Sequence, residues 1–267
     1  MSAAFNLDKN RIKHSFSLAS ATYDKVAALQ RRVGSDLLDS INIANPAGTI
    51  LDLGCGTGVL TGELLRTVPR ASLQQIIALD IAWPMLHTSR NKLINHSNIG
   101  YVCADAELLP IIEKSVDLVF SSLALQWCRN LEAVFADIQR ILKSRKQLVF
   151  STFGPQTLKE LKGAWAEVDD YSHVNEFYSA AQLKHFLQLA GFKDIRIKTK
   201  TYISNYYSVW ELMRELKQLG AHNALIGRNK KITTRTHMQG MITAYEKHRS
   251  GELIPATFEV IIATAEV

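Results

Sequence analysis

An apolar run that ends in a glycine cluster constrains this chain more than any other feature. Residues 49–53 (TILDL) have the apolar character of a buried strand, and residues 59–67 that follow show helical spacing. Between them lie Gly54, Gly56 and Gly58 in the run G-C-G-T-G. Glycines at such a junction allow a sharp turn and let a ligand approach the backbone more closely than a Cβ permits. The segment therefore predicts either a site for an anionic ligand group at a helix N-terminus or a structural turn.

Short apolar runs alternate with amphipathic stretches along residues 49–152, which predicts an α/β fold whose mostly parallel sheet has helices on both faces. Residues 8–44 predict N-terminal helices. The expected strands are 49–53, 75–80, 101–104, 116–121, 147–152, 194–202 and 257–267, and the expected later helices are 59–67, 85–94, 131–142, 157–168, 180–190, 209–219 and 237–248. We expect one domain (1–267), made of an N-terminal helical segment (1–46), a core (47–202 and 252–267) and an inserted helical cap (203–251).

Composition excludes several classes of protein. With 47% hydrophobic and 21% charged residues, the chain is neither disordered nor low in complexity. Its three cysteines form no C-x-x-C pair, so we expect reduced thiols and no metal site. No secretory signal or long apolar span occurs, which predicts a cytoplasmic protein that associates with no membrane. The net charge of +6 suits an acidic partner or an anionic substrate.

Acidic residues follow the second and third predicted strands. Asp80 ends the second strand, where a carboxylate can accept hydrogen bonds from both ribose hydroxyls of a nucleotide-type ligand. Asp80 could also be the N-cap of the helix that begins near Pro84, and the two roles can coexist. Asp105 opens the run D-A-E-L-L-P after the third strand. The glycine spacing G-x-G-x-G differs from the dinucleotide pattern G-x-G-x-x-G by one residue.

These three elements, together with the run D-L-V-F-S-S (117–122) in the fourth predicted strand, resemble class I S-adenosylmethionine-dependent methyltransferases, whose Rossmann-like fold has seven strands. The resemblance implies that the glycine turn lies against the methionine end of the cofactor and that Asp105 lies beside the adenine amino group. S-adenosylhomocysteine would be the product, and no metal is implied. The implied cofactor residues are Asp52, Gly54, Cys55, Gly56, Gly58, Asp80, Ile81, Met85, Asp105, Ala106, Ser121 and Leu123.

Further blocks resemble the malonyl-acyl-carrier-protein O-methyltransferases of biotin synthesis across residues 11–267. They include A-T-Y-D (21–24), S-S-L-A-L-Q-W-C (121–128), S-T-F-G-P (151–155) and H-V-N-E-F (173–177). The resemblance implies methyl transfer to the free carboxylate of a malonyl thioester on acyl carrier protein, or on coenzyme A. The chain departs from the pattern at residues 143–146 (KSRK), which predicts a loosely specified loop, and at Trp83, which could contact the adenine rim or only cover it.

The sequence indicates the residues that contact the methyl acceptor less clearly than it indicates the cofactor residues. We expect the malonyl group to meet some of Tyr23, Gln126, Trp127, Asn175 and Phe177. His173 or Tyr207 would act as a base only if the acceptor were a hydroxyl. Two basic groups could dock an acidic carrier, and both could equally be ordinary solvated surface. They are Arg228, Lys230, Lys231 and Arg235 in the cap, and Arg196, Lys198 and Lys200 on one strand.

Three alternatives remain open from sequence: a methyltransferase of another small carboxylate or hydroxyl, a respiratory-complex assembly factor, and an inactive cofactor-binding scaffold. No nucleic-acid-binding module is recognisable. We expect a monomer.

Overall fold

A seven-stranded sheet organises the protein in the computed structural model, which describes residues 5–41, 48–69, 71–228 and 233–267. The strands are β1 (Thr49–Leu53), β2 (Gln75–Asp80), β3 (Ile99–Cys103), β4 (Val116–Ser122), β5 (Leu142–Phe153), β6 (Lys193–Tyr206) and β7 (Ile254–Glu266). Their order in the sheet is β3-β2-β1-β4-β5-β7-β6, and β7 is antiparallel to both of its neighbours while the remaining pairs are parallel. The predicted mostly parallel, seven-stranded sheet is confirmed.

Ten α-helices lie in the described part of the chain, with a 3₁₀ turn at Leu125–Trp127. They are α1 (Lys9–Ala19), α2 (Tyr23–Val26), α3 (Ala28–Leu38), α4 (Val59–Thr67), α5 (Trp83–Lys92), α6 (Leu131–Ile141), α7 (Lys159–Ala166), α8 (Ala180–Leu189), α9 (Val209–Gln218) and α10 (Arg235–Glu246). None of the helices in the described ranges has the length and apolar character that crossing a membrane would require.

Side-chain alternation along the strands builds a core on each face of the sheet. Ile50 of β1 joins one apolar cluster, with Leu64 of α4, whereas its neighbour Leu51 joins a second cluster, with Phe135 of α6. Successive strand residues point to opposite faces, so both faces of β1 are covered. All five residues of β1 are buried, which explains why its sequence reads as a nearly continuous apolar run.

The N-terminal helices are shorter than the periodicity of residues 8–44 predicts. The helical pattern breaks first after α1, where the Thr22 N–H donates to Ala19 O and the Thr22 hydroxyl donates to the carbonyl of Gln218. It breaks again at Ala27, whose φ and ψ of −81° and 40° are not helical. Residues 9–38 therefore form three helices, and a long-range hydrogen bond joins the first break to the end of α9.

The basic run at residues 143–146 continues a strand, and the loop expected there is wrong. Lys143 and Lys146 place their ammonium groups 2.7 and 3.4 Å from the carboxylate of Asp117 in β4. That carboxylate also accepts the backbone N–H of Thr49 at 2.9 Å. One buried acidic side chain thus pairs with both lysines at the start of β5. The basic run itself gives no sign of this distant partner.

The segment between β6 and β7 contains α9 and α10, and α10 packs against α7. This agrees with two helices expected there, although β6 extends to Tyr206 rather than to position 202. We keep the division into N-terminal segment, core and inserted cap as a proposal. Lys230 and Lys231 lie outside the described residues.

Candidate active site

A cavity opens at the carboxyl ends of β1 to β4, next to the point where the strand order reverses between β1 and β4. Its empty volume is about 690 Å³, part of it open to solvent, a size suited to a small-molecule site. Ligands in open α/β sheets bind at such switch points. The cavity is lined by Lys9, Ile12, Phe16, Tyr23, Gly54, Gly56, Leu79, Asp80, Ile81, Met85, Ala104, Asp105, Ala106, Ser122, Leu123, Ala124, Trp127 and Cys128.

The glycine turn forms one wall of this cavity. Its three glycines have φ values of +79°, +54° and +78° in chain order, in the region that side chains other than glycine rarely adopt. A Cβ at Gly54 or Gly58 would strike Ala124 or Ser89, whereas a Cβ at Gly56 would meet no protein atom within 4 Å. The space next to the Gly56 Cα is therefore free of protein atoms on the cavity side, so a ligand can approach the backbone there closely.

Asp80 lies at the base of the cavity and holds the turn in place. Its Oδ2 accepts the backbone N–H of Gly56 at 3.0 Å, and its Oδ1 accepts that of Ala82 at 2.8 Å. Desolvation by burial raises the pKa of Asp80 to about 6, against the hydrogen bonds from these N–H groups. Asp80 therefore does not cap α5, whose N-terminal flanking residue is Ala82 and receives no side-chain cap. The contact of Asp80 with the ribose hydroxyls stays a prediction.

Asp105 lines the opposite end of the cavity, where it is paired with the N-terminal helix. Its Oδ1 accepts from the Lys9 ammonium at 2.8 Å and from the backbone N–H of Glu107 at 3.0 Å. Lys9 also lies 3.2 Å from the Glu107 carboxylate. This cluster, together with Ile12 and Phe16, makes α1 a cover over the cavity. Lys9 and Ile12 are lining residues that sequence reasoning missed, because their contacts lie far away along the chain.

Two aromatic candidates for the acceptor site reach the cavity. Tyr23 of α2 lines it, and burial, with smaller effects from the carboxylates of Asp80 and Asp24, raises the pKa of its phenol, so this group stays protonated at neutral pH. Trp127 also lines it, and its ring meets that of Phe16 edge-on, with centroids 5.3 Å apart. Both can therefore contact a substrate bound under α1.

The other three acceptor candidates lie outside this cavity, since their side chains are engaged elsewhere. The Gln126 amide donates to Leu123 O at 2.6 Å, and the buried Asn175 side chain accepts the Ala224 N–H at 3.0 Å. The ring of Phe177 packs 5.7 Å from that of Phe153. None of the three lines the first cavity, and their contact with the acceptor stays a prediction.

Among the predicted cofactor residues, Gly54, Gly56, Asp80, Ile81, Met85, Asp105, Ala106 and Leu123 line the cavity. Asp52 and Ser121 do not. The carboxylate of Asp52 accepts the hydroxyl of Thr61 on α4 at 2.6 Å, and the Ser121 hydroxyl donates to Leu53 O at 2.8 Å. These two side chains lie beneath the turn and support it.

Three further residues singled out from the sequence have different surroundings. Cys55 lines a second, smaller cavity on the other side of the turn. Gly58 precedes α4 as its N-terminal flanking residue. Trp83, at the start of α5, is 53% exposed and does not line the first cavity. Ser122 and Ala124 line the first cavity without having been predicted, although their place directly after β4 was the available signal.

Comparisons with known proteins agree with this geometry. Residues 51–150 match the family model described as "Methyltransferase domain". The chain is 40% identical over 261 residues to a malonyl-[acyl-carrier protein] O-methyltransferase of Methylococcus capsulatus, which covers 97% of this chain and 94% of that relative. It is 41% identical over 254 residues to the biotin biosynthesis bifunctional protein BioHC of Cellvibrio japonicus, covering 95% of this chain but only 49% of that protein, so the chain spans about half the length of that relative.

A solved structure shows the same fold at low identity. Phosphoethanolamine N-methyltransferase 2 of Haemonchus contortus, in complex with S-adenosyl-L-methionine, superposes with a TM-score of 0.58 at 14% identity, over 94% of this chain and 57% of that one. The fold, the glycine turn and the acidic side chains at the strand ends define a class I S-adenosylmethionine-dependent methyltransferase. Identity of about 40% over nearly the whole chain narrows the assignment. The chain belongs to the malonyl-[acyl-carrier protein] O-methyltransferase family.

Proposed function

We propose that this protein methylates the free carboxylate of a malonyl thioester carried by acyl carrier protein, giving the malonyl methyl ester from which biotin synthesis starts. The relatives named for this reaction supply the substrate class. The observation that favours a carboxylate acceptor is the cavity lining in the described structure, which includes no histidine and whose two carboxylates, Asp80 and Asp105, already accept hydrogen bonds.

The residues of the cavity fit S-adenosylmethionine. The open space at Gly56 admits a ligand against the backbone, and Asp80 can accept the ribose hydroxyls. Asp105, which the resemblance implies lies beside the adenine, lines the same cavity. When bound, this cofactor supplies a methyl group on a positively charged sulfur. The expected product is S-adenosylhomocysteine.

An ionised acceptor needs no base. A carboxylic acid with a pKa of about 4 is already deprotonated at neutral pH, so the protein need only bring the acceptor oxygen and the methyl group together. Charge is cancelled when the anionic oxygen attacks, and exclusion of water favours that step. The apolar side chains of Ile12 and Phe16 on α1 can exclude water from this part of the cavity.

A hydroxyl acceptor would need a base, and neither candidate lines the cavity. The ring of His173 stacks on Trp165 with centroids 3.7 Å apart, and its Nε2 lies 2.8 Å from Asp169. Tyr207 is 70% exposed on the protein surface. These contacts support a structural role for His173 and disfavour the hydroxyl alternative.

The surface that receives the carrier is part of this proposal. On β6, Lys200 is paired with Asp36, whereas Arg196 and Lys198 are exposed. Arg228 of the cap lies close enough to Arg11 of α1 for its charge to lower the pKa of Arg11, although burial of Arg11 has the larger effect. Arg11 and Arg228 thus form a pair of cations on and beside α1, only partly compensated by the carboxylate of Asp8, and such a pair suits an acidic carrier protein. A cytoplasmic location and a monomeric state stay predictions.

Mass spectrometry of the acyl carrier provides the test. Malonyl-carrier protein incubated with S-adenosylmethionine and this protein should gain one methyl on its acyl group, with one S-adenosylhomocysteine formed per methyl added. Acetyl-carrier protein is the matched control, since it lacks only the free carboxylate and should stay unchanged. Methylation of neither carrier, or of both, would contradict the proposal.

A further inference from the structure

A second cavity lies across the glycine turn from the first. Its empty volume is about 460 Å³, and it lies between the turn, α2, α3 and the first residues of α4. The two cavities share four lining residues, which are Tyr23, Gly54, Gly56 and Ser122. A ligand that extends past the turn from the first cavity would therefore enter the second.

Some polar groups of the second cavity have no hydrogen-bond partner in the described part of the protein. The exposed Arg31 of α3 lines it, and its Nη1 donates to Asp24 O at 2.7 Å, while its other N–H groups have no protein partner within the described chain and are open to solvent or a ligand. The Oε1 of Gln30 is buried and has no hydrogen-bond partner there either. A buried amide oxygen without a partner is uncommon unless a ligand or water completes it.

Asp24, the one carboxylate among the described residues that line this cavity, is already neutralised. Asp24 accepts the hydroxyl of Thr57 at 2.5 Å through Oδ1 and pairs with the ammonium of Lys92 at 2.7 Å through Oδ2. Arg31 is therefore the cation that remains available to a ligand among the described lining residues. Its planar guanidinium presents N–H donors in the fork that matches a carboxylate.

We propose that the second cavity is a carboxylate-binding site, in which Arg31 pairs with the carboxylate and Gln30 completes the polar contacts. Two carboxylates can reach it: the one on the amino-acid end of the methyl donor, and the malonyl group of the acceptor. The second source rests on the proposed function. Gln30 suits either, since its oxygen can accept from an ammonium group and its amide nitrogen, after rotation, can donate to a carboxylate.

The test compares Arg31→Met with Arg32→Met. The two variants remove the same charge from neighbouring positions on one helix, but the guanidinium of Arg32 lies 5.2 Å from the ring centroid of Tyr202 instead of lining the cavity. Calorimetry measures binding of S-adenosylhomocysteine and of 5′-methylthioadenosine, which has the nucleoside but no amino-acid carboxylate. Steady-state kinetics then measures KM for malonyl-carrier protein.

A donor carboxylate in the cavity predicts that Arg31→Met weakens binding of S-adenosylhomocysteine about tenfold or more and leaves 5′-methylthioadenosine unaffected. An acceptor carboxylate predicts unchanged binding of both nucleosides and a KM for malonyl-carrier protein raised about tenfold or more. Arg31→Lys should recover part of either loss.

Three results would overturn the proposal: no change in binding or KM, equal weakening of both nucleosides, or the same losses in Arg32→Met. The calorimetric comparison uses no acceptor. If the wild-type protein fails to methylate malonyl-carrier protein, the proposed function is refuted, but the calorimetric test of the donor carboxylate in the second cavity stays valid.

Discussion

Substitution of Gly56 by alanine separates what the cofactor requires from what the fold requires. The backbone at Gly56 has a φ of +54°, and a Cβ there would project into space free of protein atoms. At Gly54 the added Cβ would lie 2.3 Å from the Cβ of Ala124, and at Gly58 it would lie 2.1 Å from the hydroxyl of Ser89. Only the first of these three substitutions leaves the protein packing undisturbed.

The magnitudes follow from that geometry. Gly56→Ala should lower the free energy of unfolding by about 1–2 kcal/mol, the cost of a left-handed backbone in a residue with a Cβ, and lower Tm by a few degrees. Gly54→Ala should cost about 1–3 kcal/mol more through overpacking against Ala124. The new methyl of Gly56→Ala occupies ligand space, so affinity for S-adenosylhomocysteine should fall about tenfold or more.

Thermal unfolding and calorimetry on the same samples distinguish these effects. Gly56→Ala should give a folded protein with a large binding defect, whereas Gly54→Ala should show the larger loss of Tm. Wild-type affinity in Gly56→Ala would mean that no ligand approaches this backbone, and the placement of the cofactor would be refuted. A Tm for Gly54→Ala equal to that of Gly56→Ala would refute the steric argument instead.

Three further predictions concern charged groups. Because ribose hydroxyls donate to the ionised Asp80, whose pKa is about 6, calorimetry should show S-adenosylhomocysteine binding weaken as pH falls through about 6, and Asp80→Asn should remove this dependence. Burial raises the pKa of Asp52 to about 7, so the stabilising contribution of its protonated form is present in acid and is lost as the pH rises from about 4 to about 7. Asp52→Asn should flatten the decline in Tm over this pH range, and an unchanged slope would count against the assigned pKa. Lys9→Met should raise the Kd for S-adenosylhomocysteine several-fold, since α1 loses its ion pair with Asp105 across the cavity, whereas Lys13→Met on the exposed side of α1 should not. Equal effects of the two substitutions would refute a role for the Lys9–Asp105 pair in holding α1 over the ligand.

The strand–turn–helix at residues 49–67 could be predicted to the residue because its determinants are local. β1 is apolar along its length, the turn needs positive φ at three positions, and α4 begins where the glycines end. The same sequence pattern did not reveal which side chains line the cavity. Asp52 shares the Ile50 face of β1, and that face packs against α4, so the carboxylate meets Thr61 instead of the cavity.

The contacts that hold α1 over the cavity could not be predicted, since they join distant parts of the chain. Lys9 and Asp105 are 96 positions apart, and nothing near either residue in sequence indicates the other. Helical spacing predicts that residues 9–19 form a helix but says nothing about its partner. Long-range ion pairs of this kind follow from the arrangement of elements, which sequence periodicity does not specify.

Asn175 shows why resemblance to a family can identify a residue without revealing what it does. Its side chain accepts the N–H of Ala224, the carbonyl of Ala224 accepts the N–H of Asp8 at 2.8 Å, and Asp8 caps α1 by accepting the N–H of Arg11. The next residue after this cap is Lys9, which lines the cavity. Asn175 is therefore connected to the cavity lining through the backbone that positions α1, a link that its sequence neighbourhood does not indicate.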